Sequence, residues 1–284
     1  MIRSVLSLLA LLLMAASPAH SFEAEFVSAG DPVLSNPHDV ELSKDGKLLY
    51  VSDLGNDRVA VLDADTLKLI GSFGEGDDLA APHDVDLGPG GKLYVADTGN
   101  DRIVIYEIDG ASGKRVGDIT GSIAAPEGVL AHTDGRVYAT GAGSGNIVVF
   151  ADGQVIHEEG GLWHPHDVIA TADGQFWVAD SSNDRMILMS PKLERLKTLE
   201  GDAYKFSGPR YQDMTADGNL VVADKYSHTV KVISPSGEMI KVLGTGKAGK
   251  GPGAFTTPEG VVIRGQDLWI SDSGNNRVVR YRIQ

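Results

Sequence analysis

A unit of about 44 residues recurs six times along this chain, and this repetition limits the possible folds more than any other feature. Each unit opens with a proline and runs through a valine and a glycine turn to an aspartate-rich loop. The opening prolines are Pro37, Pro82, Pro126, Pro165, Pro209 and Pro258, at spacings of 45, 44, 39, 44 and 49 residues. A fixed period of this length is typical of repeat architectures, in which each unit packs on the next.

Within a unit the residues follow the pattern of β-strands. In the second unit, "HDVDL" and "RIVIYEI" alternate, "KLYVAD" is β-branched and aromatic, and "KRVGDITG" ends the unit. The stretches "GPGG" and "TGND" supply the turns. Four short strands per unit predict one blade of a propeller, so we expect an all-β fold, a six-bladed β-propeller with four-stranded blades.

The two ends of the repeated region are complementary. The last unit stops at "RVVRYRIQ", its third strand, and "FEAEFVSAG", residues 22–30, precedes the first proline as a fourth strand precedes each later one. We therefore expect this N-terminal strand to complete the last blade and close the ring. An open solenoid is the alternative, but it would not need this complementary segment.

The first 21 residues differ from the repeats. Arg3 precedes an uncharged apolar stretch from Val5 to Ala16, followed by small residues, as in a secretory signal peptide. The stretch is shorter than the about 20 residues of a membrane span. We expect a signal peptide at 1–21, a propeller at 22–284, and a secreted or periplasmic monomer without a membrane span.

The amino-acid composition limits how the fold is stabilised and which kinds of partner the protein binds. The chain has no cysteine, so the fold depends on its core and not on disulfides. It has 39 acidic and 25 basic residues, a formal net charge of −14. Because this charge repels phosphate groups, nucleic acid and anionic lipid are disfavoured as partners.

A loop motif follows the second strand of most units. The copies "VSDLGNDRVAVL", "VADTGNDRIVIY", "VADSSNDRMILM" and "DLWISDSGNNRVVRY" resemble NHL repeats, and the resemblance covers nearly all of residues 22–284. Its aspartates and arginines pair in register as Asp53 and Arg58, Asp97 and Arg102, Asp180 and Arg185, and Asp272 and Arg277. Since the pair recurs, we interpret it as a capped turn of the scaffold. Function is expected where the blades differ.

The residue after the opening proline does differ from blade to blade. The six positions hold His38, His83, Glu127, His166, Arg210 and Glu259. In a propeller they begin the innermost strands, so we expect them to meet at the mouth of the central channel. Imidazole and carboxylate groups are ligands of zinc, which is the metal that this set predicts; calcium is the second choice because it prefers oxygen ligands. The alternative is a set of solvated polar side chains that bond to one another.

Aspartates follow the three histidines of this set. They are Asp39, Asp84 and Asp167, whereas glycine follows both glutamates. An aspartate of this kind is able to orient a metal-binding imidazole. Successive strand residues face opposite ways, however, so each aspartate could instead serve a histidine of an adjacent blade or cap a loop.

Among NHL propellers, the lyase that completes peptide amidation, peptidylamidoglycolate lyase, holds zinc through "PH" motifs on alternating blades. The motifs "APHDV" at His83 and "HPHDV" at His166 are similar, and Glu259 in "TPEGV" takes the third alternating position. The resemblance implies a zinc site of two histidines and one carboxylate. It also implies a functional tyrosine, for which Tyr226 in "ADKYSHTV" is the candidate.

The motif "GPRYQ" supplies the remaining candidate catalytic residues, Arg210 and Tyr211. Arg210 would bind a substrate carboxylate or, as the alternative, pair with Glu259 or Glu127. Three functions stay open at this point. They are a metal-dependent lyase or hydrolase for a small polar or carboxylate-bearing substrate or peptide, a non-catalytic propeller that binds a peptide, glycan or envelope protein, and a lactonase of the paraoxonase type, which normally holds calcium.

Overall fold

The computed structural model describes residues 22–284, so the predicted signal peptide lies outside the described residues. This part of the chain forms 24 strands in six four-stranded antiparallel sheets. It contains no helix that is long and apolar enough to span a membrane. The fold is the predicted six-bladed β-propeller.

The strands follow the repeats. In chain order they are β1 (Ala24–Ala29); β2 (Pro37–Leu42), β3 (Leu48–Asp53), β4 (Arg58–Asp63) and β5 (Leu69–Phe73) of blade 1; β6 (Pro82–Leu87), β7 (Lys92–Asp97), β8 (Arg102–Asp109) and β9 (Ser112–Thr120) of blade 2; β10 (Pro126–Ala131), β11 (Val137–Gly141), β12 (Asn146–Ala151) and β13 (Gln154–Glu159) of blade 3; β14 (Pro165–Ala170), β15 (Phe176–Asp180), β16 (Arg185–Met189) and β17 (Arg195–Leu199) of blade 4; β18 (Pro209–Met214), β19 (Leu220–Asp224), β20 (Thr229–Ile233) and β21 (Met239–Leu243) of blade 5; and β22 (Pro258–Arg264), β23 (Asp267–Asp272) and β24 (Arg277–Ile283) of blade 6.

Strand β1 completes blade 6, as the sequence predicts. It pairs antiparallel with β24, and the sheet order is β1-β24-β23-β22. The rings of Phe26 and Tyr281 pack edge to face at 5.7 Å between centroids. The two ends of the repeated region therefore share one sheet, and the solenoid alternative is wrong.

The repeated Asp–Arg pair is part of the scaffold, as interpreted. In blade 1, the buried Asp53 carboxylate accepts the backbone N–H of Ser35 at 2.6 Å. Its other oxygen accepts Asn56 Nδ2 at 2.8 Å and Arg58 Nε at 2.7 Å. Because a buried carboxylate needs such partners, the motif fixes the loop after the second strand of the blade.

Neighbouring blades are joined by a second repeated contact. The residue that ends the short 3-10 turn accepts the backbone N–H of the residue before the next opening proline. The pairs are Asp57 with Ala81, Asp101 with Ala125, Asp184 with Gly208, His228 with Thr257, and Asn276 with Asn36. The last pair links blade 6 to blade 1, so this contact also closes the ring.

The core lies between the blades. One cluster joins Val40, Leu49 and Val51 of blade 1 to Val262 and Trp269 of blade 6. Because each apolar cluster of this kind belongs to two blades, burial of apolar surface holds the ring together. The innermost strands of all six blades are thereby fixed around the channel.

Candidate functional site

The six positions after the opening prolines meet at the channel axis. We call these six side chains the channel ring. Each contacts the next in order: His38 with His83 (ring centroids 4.4 Å apart), His83 with Glu127 (Nε2 to Oε1, 3.7 Å), Glu127 with His166, His166 with Arg210, Arg210 with Glu259 (Nε to Oε2, 3.4 Å) and Glu259 with His38 (Oε1 to Nε2, 3.8 Å). Residues from six blades therefore form one closed circuit.

A strained backbone places these side chains. The residue before each opening proline has a left-handed conformation, with φ values of 51° at Asn36, 49° at Ala81, 46° at Ala125, 45° at His164, 67° at Gly208 and 44° at Thr257. A non-glycine residue rarely adopts this conformation, and the contact between blades holds five of the six N–H groups in place. The kink directs the residue after the proline into the channel.

The three imidazoles of the ring are neutral near pH 7. Burial lowers the pKa of His83 to about 4. Burial also lowers the pKa values of His38 and His166 well below their usual range, and the Arg210 guanidinium adds to the effect on His166. A neutral imidazole carries a free ring lone pair, which a metal ligand or a general base requires.

A backbone carbonyl group fixes which nitrogen of the His83 imidazole carries that lone pair. His83 Nδ1 donates to the carbonyl oxygen of Ala81 at 2.8 Å, whereas His166 Nδ1 lies 2.9 Å from that of His164 and 2.7 Å from Arg210 Nη1. Both Nε2 atoms face the carboxylate of Glu127. A hydrogen bond from the other ring nitrogen is the usual way in which proteins orient a metal-binding histidine.

His83, Glu127 and His166 form a trio whose donor types fit zinc. The buried Glu127 Oε2 has no hydrogen-bond donor, although it contacts the His166 ring. As the side chains stand, no group of three or more His, Asp or Glu residues within 22–284 already has an arrangement that could hold a metal ion. Zinc binding at this trio therefore requires its side chains to rearrange.

Glu259 lies among cations. Its fully buried carboxylate is 2.5 Å from Lys225 Nζ and 3.4 Å from Arg210 Nε. The structure thus pairs Glu259 with Arg210, one of the two roles considered for that arginine, and places Glu127 between the two histidines. Lys225 was missed from the sequence. Its signal is the break of the loop motif in blade 5, where lysine stands at the position of Thr98 in blade 2.

Tyr226 lies at the open side of the ring. Its hydroxyl accepts Arg210 Nη2 at 3.3 Å, and its ring centroid is 5.6 Å from Arg210 Cζ. The phenol packs on Gly208, where an added Cβ would lie only 2.7 Å from the ring. Ser181 Oγ accepts Arg210 Nη1 at 2.9 Å. The guanidinium is therefore oriented by contacts from blades 4 and 5.

Tyr211 closes the ring from below. Its hydroxyl donates to the backbone carbonyl of Glu127 at 2.9 Å, and its ring centroid is 6.5 Å from those of His38 and His166. Burial raises the pKa of Tyr211 well above its ordinary value. The expected catalytic role does not fit this position, because the phenol is buried and its proton is committed to a carbonyl group.

The aspartates after the histidines contact the backbone of adjacent blades. Asp84 Oδ2 accepts the N–H of Val129 at 2.6 Å, and Asp167 Oδ2 accepts that of Gln212 at 2.9 Å. The Asp39 carboxyl group bonds to Asp84. The Nδ1 atoms of His83 and His166 lie against backbone carbonyl groups, so these aspartates bond to the backbone of the adjacent blade and not to a histidine of either blade.

Below Tyr211 the channel widens into a cavity of about 430 Å³. Six acidic residues line it: Asp39, Glu41, Asp84, Asp86, Asp167 and Asp213. Burial raises the pKa of Asp39 to about 7 and those of Asp86 and Asp213 to about 6. The channel therefore has a histidine-rich side and a carboxylate-rich side, with Tyr211 between them.

Comparison with known sequences identifies the repeats. The family model of the NHL repeat matches residues 79–106 and 255–281, in blades 2 and 6. The chain is a six-bladed β-propeller with NHL repeats in blades 2 and 6. No curated protein matches its sequence.

Several solved structures share the fold of this NHL-repeat propeller. A catalytically inactive histidine-to-alanine variant of virginiamycin B lyase from Staphylococcus aureus, with quinupristin, is 13% identical with a TM-score of 0.66, over 92% of this chain and 99% of that chain. A streptogramin B lyase is 12% identical with a TM-score of 0.67, over 95% and 100%. The Kuenenia stuttgartiensis hydrazine synthase is 20% identical with a TM-score of 0.64, over 87% and 77%. At these identities the likeness concerns the fold alone.

Proposed function

We propose that the channel ring is the active site of a metal-dependent lyase or hydrolase that acts outside the cytoplasm on a small carboxylate-bearing substrate. One observation carries the proposal. Nε2 of His83 and Nε2 of His166 both face the same carboxylate, that of Glu127, and Nδ1 of each ring lies 2.8–2.9 Å from a backbone carbonyl oxygen. A ring of polar residues that only fills a wet channel does not need two imidazoles directed at one acid.

Zinc is the proposed metal, held by His83, Glu127 and His166. When bound, zinc supplies a Lewis acid that polarises an oxygen of the substrate. The chain has both the neutral imidazoles and the buried carboxylate that such a site uses. The residues implied by the resemblance to the amidating lyase are retained except at one position, where Glu127 of blade 3 replaces Glu259 of blade 6.

The remaining side chains have separable roles. Arg210 and Lys225 bind the substrate carboxylate, since both cations border the open side of the ring near Tyr226. Tyr226 is an exposed side chain whose hydroxyl is bonded to Arg210, and this hydroxyl would accept the proton of the reacting hydroxyl group while it gives its own proton to the leaving group. Tyr211 excludes water from below.

The comparisons support the reaction class only through the fold. Two similarly folded proteins are lyases, for virginiamycin B and for streptogramin B. We propose a lyase for this chain because of the residues of its channel ring. The 12–13% identity to these two proteins does not support a shared reaction.

Metal analysis of the purified protein tests the proposal. We expect one zinc per chain in the wild type and in His157→Ala, a control histidine exposed on β13. We expect the zinc to be lost in His83→Ala and in His166→Ala. The zinc-loaded wild type is then assayed on peptides that end in hydroxyglycine. Absence of zinc and calcium from the wild type, with melting temperatures unchanged by both substitutions, would favour the non-catalytic binding propeller.

A further inference from the structure

The next-to-last residue of the second strand differs between blades in step with the channel ring. From blade 1 to blade 6 this position holds Ser52, Ala96, Thr140, Ala179, Ala223 and Ser271. The hydroxyl-bearing residues stand in blades 6, 1 and 3, and the blades that follow these around the ring are the three whose ring residue is histidine. The alanines precede the three blades whose ring residue is glutamate or arginine. A hydroxyl group in one blade therefore goes with a ring histidine in the next.

Ser52 contacts the histidine of the next blade directly. Its side chain is fully buried, and its hydroxyl donates to the backbone carbonyl of His83 at 2.6 Å. The same oxygen accepts the N–H of Asp39 at 2.8 Å, whereas the carbonyl of Asp39 is farther away, at 3.2 Å. Since Asp39 follows His38 in the chain, one hydroxyl group links two neighbouring positions of the channel ring.

Ser271 makes the same two contacts between blade 6 and blade 1. It is also fully buried, and its hydroxyl donates to the backbone carbonyl of His38. Its oxygen accepts the N–H of Gly260, the residue after Glu259, at 2.6 Å. The contact is therefore a repeated device and not an accident of one blade.

Thr140 has the corresponding place relative to His166. Its Oγ1 lies 2.5 Å, and the His166 carbonyl oxygen 2.6 Å, from the point that a Cβ on Gly128 would occupy. The Thr140 hydroxyl is fully buried and has no hydrogen-bond partner as the side chain stands. Because a buried hydroxyl normally has a partner, the His166 carbonyl is the acceptor that the pattern assigns to it.

The geometry of the side chains explains why histidine in particular needs such an anchor. An imidazole has two rotatable side-chain bonds, so the place of its nitrogens follows closely from the place of its backbone. Glutamate and arginine have more rotatable bonds, and their charged ends reach a partner from several backbone positions. At His83 the ring Nδ1 also donates to the carbonyl of Ala81 at 2.8 Å. Both the backbone and the ring of His83 are therefore held.

We propose that Ser52, Thr140 and Ser271 are positioning residues, each of which orients the ring histidine of the next blade through the backbone carbonyl of that histidine. The inference rests on the proposed function, because the orientation of an imidazole matters to the chemistry only where the channel ring is the active site. Ser52 holds His83, a proposed zinc ligand. Ser271 holds His38, which lies outside the proposed zinc trio.

This difference makes Ser271→Ala the matched control for Ser52→Ala. Each substitution removes one fully buried hydroxyl and the same two backbone contacts, so the losses of stability should be similar. We expect zinc titration to show about tenfold weaker affinity for Ser52→Ala, the lower end of the roughly 10–100-fold loss that follows removal of a partner of a metal ligand. Ser271→Ala should keep the affinity of the wild type, and Ser52→Thr should restore most of it. Equal zinc affinities of the two alanine variants would overturn the inference.

Nuclear magnetic resonance of the imidazole nitrogens gives a readout that does not need the metal. The resonances are assigned in the metal-free protein with His38→Ala and His83→Ala. We expect Ser52→Ala to shift the ring-nitrogen resonances of His83 more than those of His38, and Ser271→Ala to do the reverse. Identical His83 resonances in the wild type and Ser52→Ala would overturn the inference, whether or not zinc binds. The expected shifts in a protein that binds no zinc would support the inference and would overturn the metal-dependent chemistry.

Discussion

The hydroxyl group of Tyr211 donates to the backbone carbonyl of Glu127 across the channel, at 2.9 Å. The bond joins blade 5 to blade 3 directly beneath the proposed metal ligands. It fixes the position from which the Glu127 side chain reaches His83 and His166. A buried hydrogen bond within the scaffold is in this way connected to the arrangement of the site.

Replacing Tyr211 by phenylalanine is therefore expected to affect both stability and zinc affinity. The substitution leaves the Glu127 carbonyl without its partner, which costs about 1–2 kcal/mol in the free energy of unfolding. The matched control is Tyr50→Phe, because the buried Tyr50 donates to the carbonyl of Gly110 at 3.0 Å, far from the ring. Urea unfolding should show similar losses for both variants, and zinc titration a weaker affinity only for Tyr211→Phe. Equal zinc affinity in both would show that the bond does not position Glu127.

Closure of the ring by β1 is expected to be essential to stability. A protein that begins at Asp31 lacks β1, exposes the edge of β24 and uncovers Tyr281. We expect its melting temperature to lie about 10 °C or more below that of a protein that begins at Phe22, since 1 kcal/mol corresponds to roughly 2–4 °C at this size. Scanning calorimetry compares the two proteins, and equal melting temperatures would contradict the closure.

The buried carboxyl groups of the lower cavity are expected to make stability fall as pH rises. Burial raises the pKa of Asp86 to about 6, above its value of about 4 in the unfolded chain. The folded state then binds more protons between these values, so the free energy of unfolding decreases as pH rises from 4 through 6. The ring histidines have lowered pKa values and act in the opposite direction below pH 6.5, so a difference between variants is needed.

Asp86→Asn isolates this contribution. The amide oxygen is able to accept the N–H of Ala131, as the carboxylate does, without the charge. We expect the variant to be more stable than the wild type by roughly 1–3 kcal/mol at pH 8 and by nearly nothing at pH 4. Asp152→Asn is the control, because Asp152 is exposed in a turn with φ of 50°, which asparagine adopts equally well. A constant difference at all pH values would rule out the titration of Asp86.

The repeat was sufficient to predict the fold because its sequence pattern is local. Strand periodicity and turn residues can be recognised within one unit, and the opening prolines recur from unit to unit. The complementary segment at residues 22–30 indicated the closure. The meeting of the six ring residues then follows from symmetry. No conformational detail was needed for either prediction.

The roles within the ring depend on details that periodicity does not contain. The register shifts at the start of the innermost strands, between Pro165 and Asp167 and between Pro209 and Gln212. Side chains therefore do not alternate regularly between the two faces at the first residues of these strands, which include His166 and Arg210. As a result, Tyr211 lies beneath the ring and not within it. The partners of His83 and His166 are carbonyl groups of residues with positive φ, which the sequence pattern does not specify.

Lys225 provides the last prediction, because it is the cation that the repeat gave no reason to expect. It lies 2.5 Å from the buried Glu259 carboxylate. Lys225→Met leaves that charge with Arg210 at 3.4 Å as its nearest cation, which should cost about 1–3 kcal/mol in unfolding free energy. Calorimetry should also show at least tenfold weaker binding of a dipeptide with a free terminal carboxylate, such as N-acetyl-Ala-Gly, since one of two cations is gone. Lys225→Arg should retain most of the stability and most of the binding.

The double variant Lys225→Met, Glu259→Gln separates the two effects. Removal of the buried charge should restore most of the lost stability, because neither partner is left unpaired. It should not restore binding of the carboxylate probe, which depends on the cation itself. Recovery of binding together with stability would mean that Lys225 acts only on the fold, and the carboxylate contact would then belong to Arg210 alone.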